Sequence, residues 1–246
     1  MIYQTFATLY DEMMDTDLYD QWLSFVAQNA GRPQPQTLEL ACGTGILATK
    51  LAQAGYPVTG FDLSMDMLTE AQQHATEADV PMDLVQGDMR ELDELDEYEL
   101  VTCLDDSLCY MPNLADVTTV FQQVAQHLVS GGRFLFDMHS LYQMDELFPG
   151  YMYNYKNETT AFMWASYLGE QPHSIEHDLT FFVWDESIQG YQALSELHHE
   201  RTYPIVDVKK ALTAAGFVNV QVTADFGKSN VAADSVRWFF VAEKAE

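Results

Sequence analysis

Two glycines and a later acid have the spacing of a nucleotide-binding turn. The stretch LELACGTG (residues 38–45) leads from an apolar run into a turn with Gly43 and Gly45, and Asp62 ends the next apolar run. Glycine lets a backbone turn sharply against a ligand, and the free N–H groups at a helix start attract a negative group. An acid about twenty residues further on can accept hydrogen bonds from ribose hydroxyls. Together these residues predict a site for an adenosine-containing cofactor.

Glu39, inside the first apolar run, separates two classes of adenosine cofactor. Ala48 stands where the dinucleotide fingerprint has its third glycine, and alanine is a permitted variant there, so this position decides little. A carboxylate beside the turn would repel a pyrophosphate, whereas it would attract a cofactor that carries a positive charge. Glu39 therefore favours a cationic cofactor, with a dinucleotide oxidoreductase as the less favoured alternative.

Short apolar runs and helical stretches alternate through the first 139 residues, and they must position this turn. A helical pattern over residues 4–30 comes first. Strands are then predicted over residues 37–41, 57–62, 82–87, 98–104 and 132–138. Helices are predicted between them over residues 45–55, 64–78 and 113–132. This alternation predicts a parallel sheet with helices on both faces, whose ligands bind beyond the carboxyl ends of the strands.

The pattern changes after His139. Aromatic, β-like runs separated by turn signals fill residues 151–203 and predict antiparallel strands. Helical patterning returns at Pro204, and two more strands are predicted over residues 217–226 and 235–243. Residues 140–203 are predicted to form an inserted, β-rich substrate lobe. Residues 1–139 and 204–246 are predicted to form the α/β core, in which residues 1–30 are a helical lid.

The order of the motifs resembles that of the class I S-adenosylmethionine-dependent methyltransferases, and the likeness extends over most of the chain. Four stretches are similar to the family's motifs at the family's spacing: ELACGTG (39–45), GFD (60–62), QGDM (86–89) and CLDDSLCYM (103–111). Ala41 departs from the pattern, because many members have glycine there. The stretch LVSGGRFLFDM (128–138) is similar to the segment that leads into the family's fifth strand.

This resemblance implies a fold and a cofactor. The expected fold is a Rossmann-like, seven-stranded α/β sheet of order 3-2-1-4-5-7-6, with the last strand antiparallel and helices on both faces. The expected cofactor is S-adenosylmethionine, and the expected activity is transfer of its methyl group. The segment that precedes the first strand is similar to the helical lid of family members that act on small molecules.

The resemblance also implies which residues bind the cofactor. Asp62 would hold the ribose, and Leu63 and Met67 would flank the adenine. Asp88 would face the adenine amino group. The full implied set is Tyr10 (at the methionine carboxylate), Glu39, Ala41, Gly43, Gly45, Asp62, Leu63, Met67, Asp88, Met89 (through its backbone N–H) and Asp105. Tyr3 and Trp22 are placed near the methionine end, with ordinary helix packing as the alternative.

Methyl transfer from a sulfonium is an in-line displacement, in which the protein aligns the acceptor and excludes water. A general base is needed only when the acceptor must lose a proton. His139 and Asp106 are the candidate catalytic residues, because they follow the fifth and fourth predicted strands. The structural alternatives are a packed histidine and a helix-capping aspartate.

Residues of the predicted lobe and of the fourth motif are candidates for binding the acceptor. Tyr110 would line the pocket. The stretch ELHHERTY (196–203) reads as a strand whose two faces alternate, and Arg201 or Tyr203 is predicted to touch the substrate. The lobe's aromatic residues allow a cation–π cage or a sheet core, and the core is favoured. No Cys/His spacing resembles a zinc site, so no metal is predicted.

Charge and cysteine content limit the partners. The chain has 38 acidic and 11 Lys and Arg residues in 246, a formal charge of −27, so no nucleic acid is expected as partner. No apolar run reaches the length of a membrane span, and the three cysteines fit a reducing cytoplasm. The leading hypothesis is a cytoplasmic methyltransferase acting on a small molecule. An RNA methyltransferase and a catalytically silent, methyltransferase-like binding protein are the alternatives.

Overall fold

The computed structural model describes residues 16–93 and 95–246 of the chain. The predictions for Tyr3, Tyr10 and the first half of the helical lid therefore lie outside the described residues. The described part of the segment predicted as a lid is helix α1 (Thr16–Asn29), which buries Trp22 and Phe25 against the core. No described helix has both the length and the apolar character that a membrane span requires.

Strands and helices alternate from α1 to His139, as the sequence pattern predicts. They are β1 (Thr37–Leu40), α2 (Ile46–Gln53), β2 (Val58–Asp62), α3 (Met65–Glu77), β3 (Asp83–Gln86), β4 (Tyr98–Cys103), α4 (Leu114–His127) and β5 (Leu128–His139). The later elements are β6 (Met152–Lys156), β7 (Thr160–Leu168), β8 (Ser174–Asp185), β9 (Gly190–Arg201), α5 (Ile205–Ala214), β10 (Phe217–Ala224) and β11 (Arg237–Lys244).

Seven strands form one sheet in the order β3-β2-β1-β4-β5-β11-β10. The five strands up to β5 pair in parallel, and β11 pairs antiparallel with both β5 and β10. The predicted order 3-2-1-4-5-7-6 is therefore confirmed, with β10 and β11 as the sixth and seventh strands. All four residues of β1 are buried, because helices cover both faces of a central parallel strand.

The turn between β1 and α2 needs its second glycine for two reasons. Gly45 has φ of 73°, a left-handed conformation that side chains other than glycine's adopt at a cost. A Cβ at Gly45 would also lie 2.7 Å from the Cβ of Ala71 in α3. Ser64 caps the start of helix α3, because its side chain accepts a hydrogen bond from the backbone N–H of Met67. The turn is thus fixed by close packing of α2 against α3.

Strand β5 starts earlier than the pattern predicts, at Leu128 rather than at residue 132. Helix α4 ends at His127, and Leu128 is fully buried and pairs with Tyr98 of β4. The register then shifts before Leu100 pairs with Arg133. The glycines of VSGG thus lie in an irregular part of the strand, whereas the sequence pattern placed them after a longer helix.

Strands β6 to β9 form a separate antiparallel sheet in chain order. One face of this sheet packs toward the core: Phe162 and Phe181 stack with ring centroids 4.5 Å apart, and Met67 of α3 packs against them. His177 of β8 and Glu200 of β9 lie further along the same face and are also buried. This sheet therefore faces the carboxyl ends of the core strands with an aromatic part and a polar part.

Candidate active site

Asp62 connects the end of β2 to the glycine turn. One carboxylate oxygen accepts a hydrogen bond from the backbone N–H of Gly43 at 2.8 Å, and the other accepts one from Ser64 at 2.8 Å. Burial raises the pKa of Asp62, and these backbone N–H groups oppose that rise. The carboxylate is held in place by local backbone, with lone pairs left for a ligand.

Glu39 is a buried acid, with only 4% of the residue exposed. Within residues 16–93 and 95–246, its Oε2 has no hydrogen-bond partner. Burial and, to a lesser extent, the charge of Asp62 raise the pKa of Glu39 to about 8. A cationic group bound beside Glu39 would offset this cost and favour its ionised form.

Ala41 has a left-handed backbone conformation, with φ of 54°. A β-carbon costs about 1–2 kcal/mol in that region, whereas glycine adopts it freely. The family's preference for glycine at this position therefore has a backbone reason. Gly43 also has positive φ, at 55°, and a Cβ built there would meet no atom within 4 Å, so the missing side chain leaves open space beside the turn.

Asp88, the predicted adenine contact, is bound by an arginine that the sequence analysis did not consider. The Arg90 side chain donates to Oδ1 through Nε at 2.9 Å and to Oδ2 through Nη2 at 2.5 Å. Hydrogen bonding from Arg90 lowers the pKa of Asp88. Among the predicted neighbours of adenine, Leu63 is 68% exposed, and Met67 and Met89 are partly buried.

Asp105 and Asp106 form a strained turn directly after β4. Their φ angles are 58° and 50°, and two consecutive left-handed residues other than glycine are uncommon. The backbone N–H of Asp106 donates to Oδ1 of Asp137 at 3.0 Å, which holds the turn against the end of β5. Such strain is maintained where the surrounding structure fixes a side chain for function.

Arg237 is the central cation beyond the carboxyl ends of β4 and β5. Its guanidinium lies 2.6 Å from Asp106, 2.7 Å from Asp137 and 3.4 Å from Asp105. Trp22 of α1 donates from its indole nitrogen to Asp137 at 3.1 Å and lies beneath the guanidinium. Sequence reasoning missed Arg237. The available signal was a single arginine directly before the apolar run WFFVA (238–242).

His139, the last residue of β5, contacts Asp106, which follows β4. Its Nε2 lies 3.1 Å from Oδ2 of Asp106 and 3.6 Å from Oε2 of Glu200. Burial alone would lower the pKa of His139, but the negative charge of Asp106 and its hydrogen bond outweigh burial and raise it. Arg237 and His139 in turn lower the pKa of Asp106 against the effect of its own burial. The two predicted catalytic residues are therefore brought together as a hydrogen-bonded acid–base pair.

The polar face of β9 lies opposite this pair. Glu200 is buried, and Tyr110, at the end of a short 3₁₀ helix (Ser107–Tyr110), bonds through its hydroxyl to Nδ1 of His198 at 2.9 Å. The ring of Tyr110 is partly exposed, whereas its hydroxyl end is enclosed. Burial and the carboxylates of Glu200 and Asp106 raise the pKa of Tyr110.

The structure does not bring Arg201 into this cluster. Successive residues of a strand point to opposite faces, so Arg201 points away from the face that carries Glu200, and its Nε donates to the carbonyl of Pro172 at 3.2 Å. Tyr203 follows the strand, is buried, and donates from its hydroxyl to the carbonyl of Met111 at 3.4 Å. The alternation of ELHHERTY was recognised in the sequence, but its face toward the core carries Glu196, His198 and Glu200.

Comparisons with known proteins agree with this geometry. Residues 37–132 match the model of a methyltransferase domain. The protein YqeM of Bacillus subtilis (strain 168), a methyltransferase by name, is 38% identical over 100% of this chain and 98% of its own length. A crystal structure of an S-adenosylmethionine-dependent methyltransferase from Clostridium acetobutylicum has a TM-score of 0.85 and 26% identity, and the match covers 99% of both chains.

The chain belongs to the class I S-adenosylmethionine-dependent methyltransferases. A further neighbour of this methyltransferase in fold is the sugar N-methyltransferase KedS8 from a Streptoalloteichus species, with a TM-score of 0.77 and 21% identity over 100% of this chain and 94% of that one. The resemblance inferred from the motifs is thus confirmed, and so are its fold, enzymatic activity and cofactor.

The turn of the methyltransferase fits S-adenosylmethionine. That cofactor carries an ammonium and a sulfonium, and Glu39 offers a buried carboxylate oxygen that has no partner in the described part of the chain. Open space beside Gly43 and the fixed carboxylate of Asp62 suit a ribose and its hydroxyls. When bound, the cofactor supplies the electrophilic methyl group, and the chain's own residues must align the acceptor with it.

Proposed function

We propose that this methyltransferase transfers the methyl group of S-adenosylmethionine to a small molecule held between the strand ends and the β6–β9 sheet. The observation that carries the proposal is the Asp106–His139 pair, 3.1 Å apart, at the carboxyl ends of β4 and β5. The polar face of β9 lies opposite this pair, and residues 140–203 act as a lobe that covers the acceptor. Residues 1–30 act as the lid on the cofactor side.

In this proposal His139 accepts a proton from the acceptor, and Asp106 stabilises the imidazolium that forms. Arg237 positions Asp106 without itself contacting the reacting atoms. Glu39, Asp62 and Asp88 bind the ammonium, the ribose and the adenine of the cofactor. Tyr110 lines the acceptor pocket.

The charge of the chain supports a small acceptor. A formal charge of −27 opposes binding to RNA, because binding nucleic acid depends on Lys and Arg side chains that neutralise phosphates. KedS8, which shares the fold, is a sugar N-methyltransferase by name, and this supports a metabolite rather than a macromolecule as acceptor. All three cysteines are free and buried, which supports a cytoplasmic location.

Two measurements test the proposal. Calorimetry should show S-adenosylmethionine binding to the unaltered protein and a loss of roughly 100-fold or more in affinity for Asp62→Ala, since hydrogen bonds to a charged group contribute about 1.5–3 kcal/mol each. Glu77→Ala, on the exposed end of α3, is the matched control and should bind normally.

Label from the cofactor should then appear in a metabolite extract and not in total tRNA or rRNA. Transfer to RNA alone would overturn the small-molecule proposal. Absence of cofactor binding by the unaltered protein would overturn the assignment of the site.

A further inference from the structure

Glu200 differs from the other carboxylates around His139 because no fixed cation is paired with it. Asp105, Asp106 and Asp137 share the guanidinium of Arg237. In the described part of the chain, the ion pairs of Glu200 are with two histidines only, His139 and His177, each at 3.6 Å. Its side chain is 5% exposed, and its Oε2 has no hydrogen-bond partner among the residues that the structure describes. A buried carboxylate of this kind is costly unless a cation joins it.

The orientation of Glu200 is set from behind by His177. The indole nitrogen of Trp164 donates to Nδ1 of His177 at 3.1 Å, and an indole N–H can only donate. Nδ1 is therefore the acceptor, so in the neutral ring the proton is on Nε2, which faces Oε1 of Glu200. This contact leaves the other oxygen, Oε2, directed toward His139 and Asp106.

We propose that Glu200 and Asp106 bind the ammonium form of an amine acceptor, that His139 removes one of its protons, and that the atom methylated is nitrogen. This inference rests on the proposed function and names its substrate class. Asp106, His139 and Glu200 each offer one side-chain atom, and these three atoms all lie within 4.8 Å of one another, which is the span that one ammonium group can bridge with its hydrogen bonds.

The proton and electron balance of the step is complete without a further reactant. Neutral His139 carries its ring proton on Nδ1 in this step, so Nε2 is free to accept. The group R–NH₃⁺ gives one proton to Nε2 of His139 and becomes R–NH₂. The nitrogen lone pair then forms a bond to the methyl carbon while the carbon–sulfur bond breaks, and the electron pair of that bond remains on sulfur. The products are R–NH₂⁺–CH₃, S-adenosylhomocysteine and protonated His139, which releases its proton to solvent.

An amine suits this pocket better than a hydroxyl or an acid. A neutral hydroxyl would leave the charge of Glu200 without compensation, and an anionic acceptor would be repelled by both carboxylates. The same three atoms could also hold a divalent metal ion. The guanidinium of Arg237, 2.6 Å from Asp106, places a positive charge beside that position and disfavours a dication.

The test uses the full-length protein, cofactor labelled in its methyl group, and a bacterial metabolite extract. One half of the extract is treated with an acetylating reagent that blocks primary and secondary amines and leaves hydroxyls free. We expect label transfer in the untreated half and a loss of at least 10-fold in the acetylated half. Mass spectrometry should place the added methyl group on nitrogen.

Variants connect this result to Glu200. Glu200→Gln keeps the shape of the side chain and removes its charge, and we expect kcat/KM for the amine-bearing fraction to fall at least 10-fold while cofactor affinity stays within twofold. Glu176→Gln is the matched control, because Glu176 lies on the opposite face of the same sheet and pairs with the exposed His199 at 3.5 Å. We expect its kcat/KM to stay within twofold of the unaltered protein.

Other outcomes would overturn the inference in distinguishable ways. Label transfer that survives acetylation, or a methyl group found on oxygen, would overturn the amine proposal and leave small-molecule methyl transfer intact. Activity that is lost with EDTA and restored by Mn²⁺ would assign the three atoms to a metal ion instead. No transfer to any part of the extract, despite normal cofactor binding, would overturn the proposed function together with the inference.

Discussion

The cofactor side and the acceptor side of the site are held together over very different distances along the chain. On the cofactor side, Asp62 bonds to backbone N–H groups 19 and 2 residues away, and Asp88 bonds to Arg90, 2 residues away. On the acceptor side, Arg237 reaches Asp137 across 100 residues. The first set forms from neighbouring strand ends, whereas the second requires the complete sheet.

We therefore expect substitutions on the two sides to have separate effects. A change on the cofactor side should alter binding of S-adenosylmethionine and leave the fold intact, because only local backbone contacts are lost. A change on the acceptor side should alter catalysis or global stability, because buried charges from distant segments compensate each other there.

The largest expected effect is on catalysis. His139→Gln should lower kcat by about 10²–10⁴, since a positioned general base contributes that factor, and should leave cofactor affinity within twofold. The base must be neutral, so kcat/KM of the unaltered enzyme should rise with pH through the pKa of His139, which lies above its ordinary value of 6.5. Radiolabel transfer measured against pH checks both expectations.

His127→Gln is the control for that experiment, because His127 lies at the opposite end of β5. Its rate and pH profile should match those of the unaltered enzyme. An unchanged kcat in His139→Gln would show that the acceptor needs no base from this residue.

The next effect is on stability. Arg237→Gln should reduce the free energy of unfolding by about 3–5 kcal/mol, because it leaves buried carboxylates without their shared cation. The deficit should shrink only as the pH falls below 3.8, the ordinary pKa of the Asp106 carboxyl, toward its lowered value in the folded protein. In the unaltered protein Arg237 and His139 lower the pKa of Asp106, so this contribution is present above the unfolded pKa and lost in acid.

Urea denaturation at several pH values measures this deficit. Lys210→Gln removes an exposed ion pair with Asp207 and should change stability by less than about 1 kcal/mol. A pH-independent deficit in Arg237→Gln would mean that packing against Trp22, rather than charge, explains its contribution.

A smaller effect concerns proton release on the cofactor side. The pKa of Glu39 is about 8 without a cation nearby, so at pH 7 the group is mostly protonated and must ionise when an ammonium binds. Binding of S-adenosylmethionine at pH 7 should release roughly one proton, and affinity should rise with pH up to about 8.

In the cofactor-free protein the same raised pKa makes stability fall as pH rises from about 4.5 to 8.

Calorimetry in two buffers of different ionisation enthalpy measures the released proton. Glu39→Gln should bind the cofactor without this release and should flatten the dependence of affinity on pH. A full release in Glu39→Gln would assign the proton to another group.

The smallest effect is on the backbone of the turn. Ala41→Gly should stabilise the protein by about 1 kcal/mol, because it relieves a left-handed alanine. Ala52→Gly, in the regular helix α2, should have the opposite sign and destabilise by about 1 kcal/mol. Thermal unfolding of the two variants checks the pair, and equal signs would contradict the backbone explanation.

The fold was largely predictable because its signals are local. Apolar runs, helical periodicity and glycine turns each extend over only a few residues, and their alternation restricts the sheet to few topologies. The start of β5 at Leu128 was not predicted. Pairing of Leu128 with Tyr98 stabilises an extended backbone there, and this outweighs the helical pattern that continues into the VSGG segment. Arg201 was predicted to touch the substrate, but the structure places it on the other face of β9. Alternation in a sequence defines two faces of a strand and does not show which face is buried.

Local sequence is enough to identify the turn of Gly43 and Gly45, the acids Glu39 and Asp62, and the strand–helix alternation that places them at one edge of a sheet. The folded chain is needed to show that Arg237, from a reversed strand near the end of the chain, lies beside Asp106 and that Glu200, from β9, faces His139. The physical reason is that local conformation and periodicity are properties of neighbouring residues. Ion pairs across a hundred residues depend instead on strand order, register and the position of the second sheet.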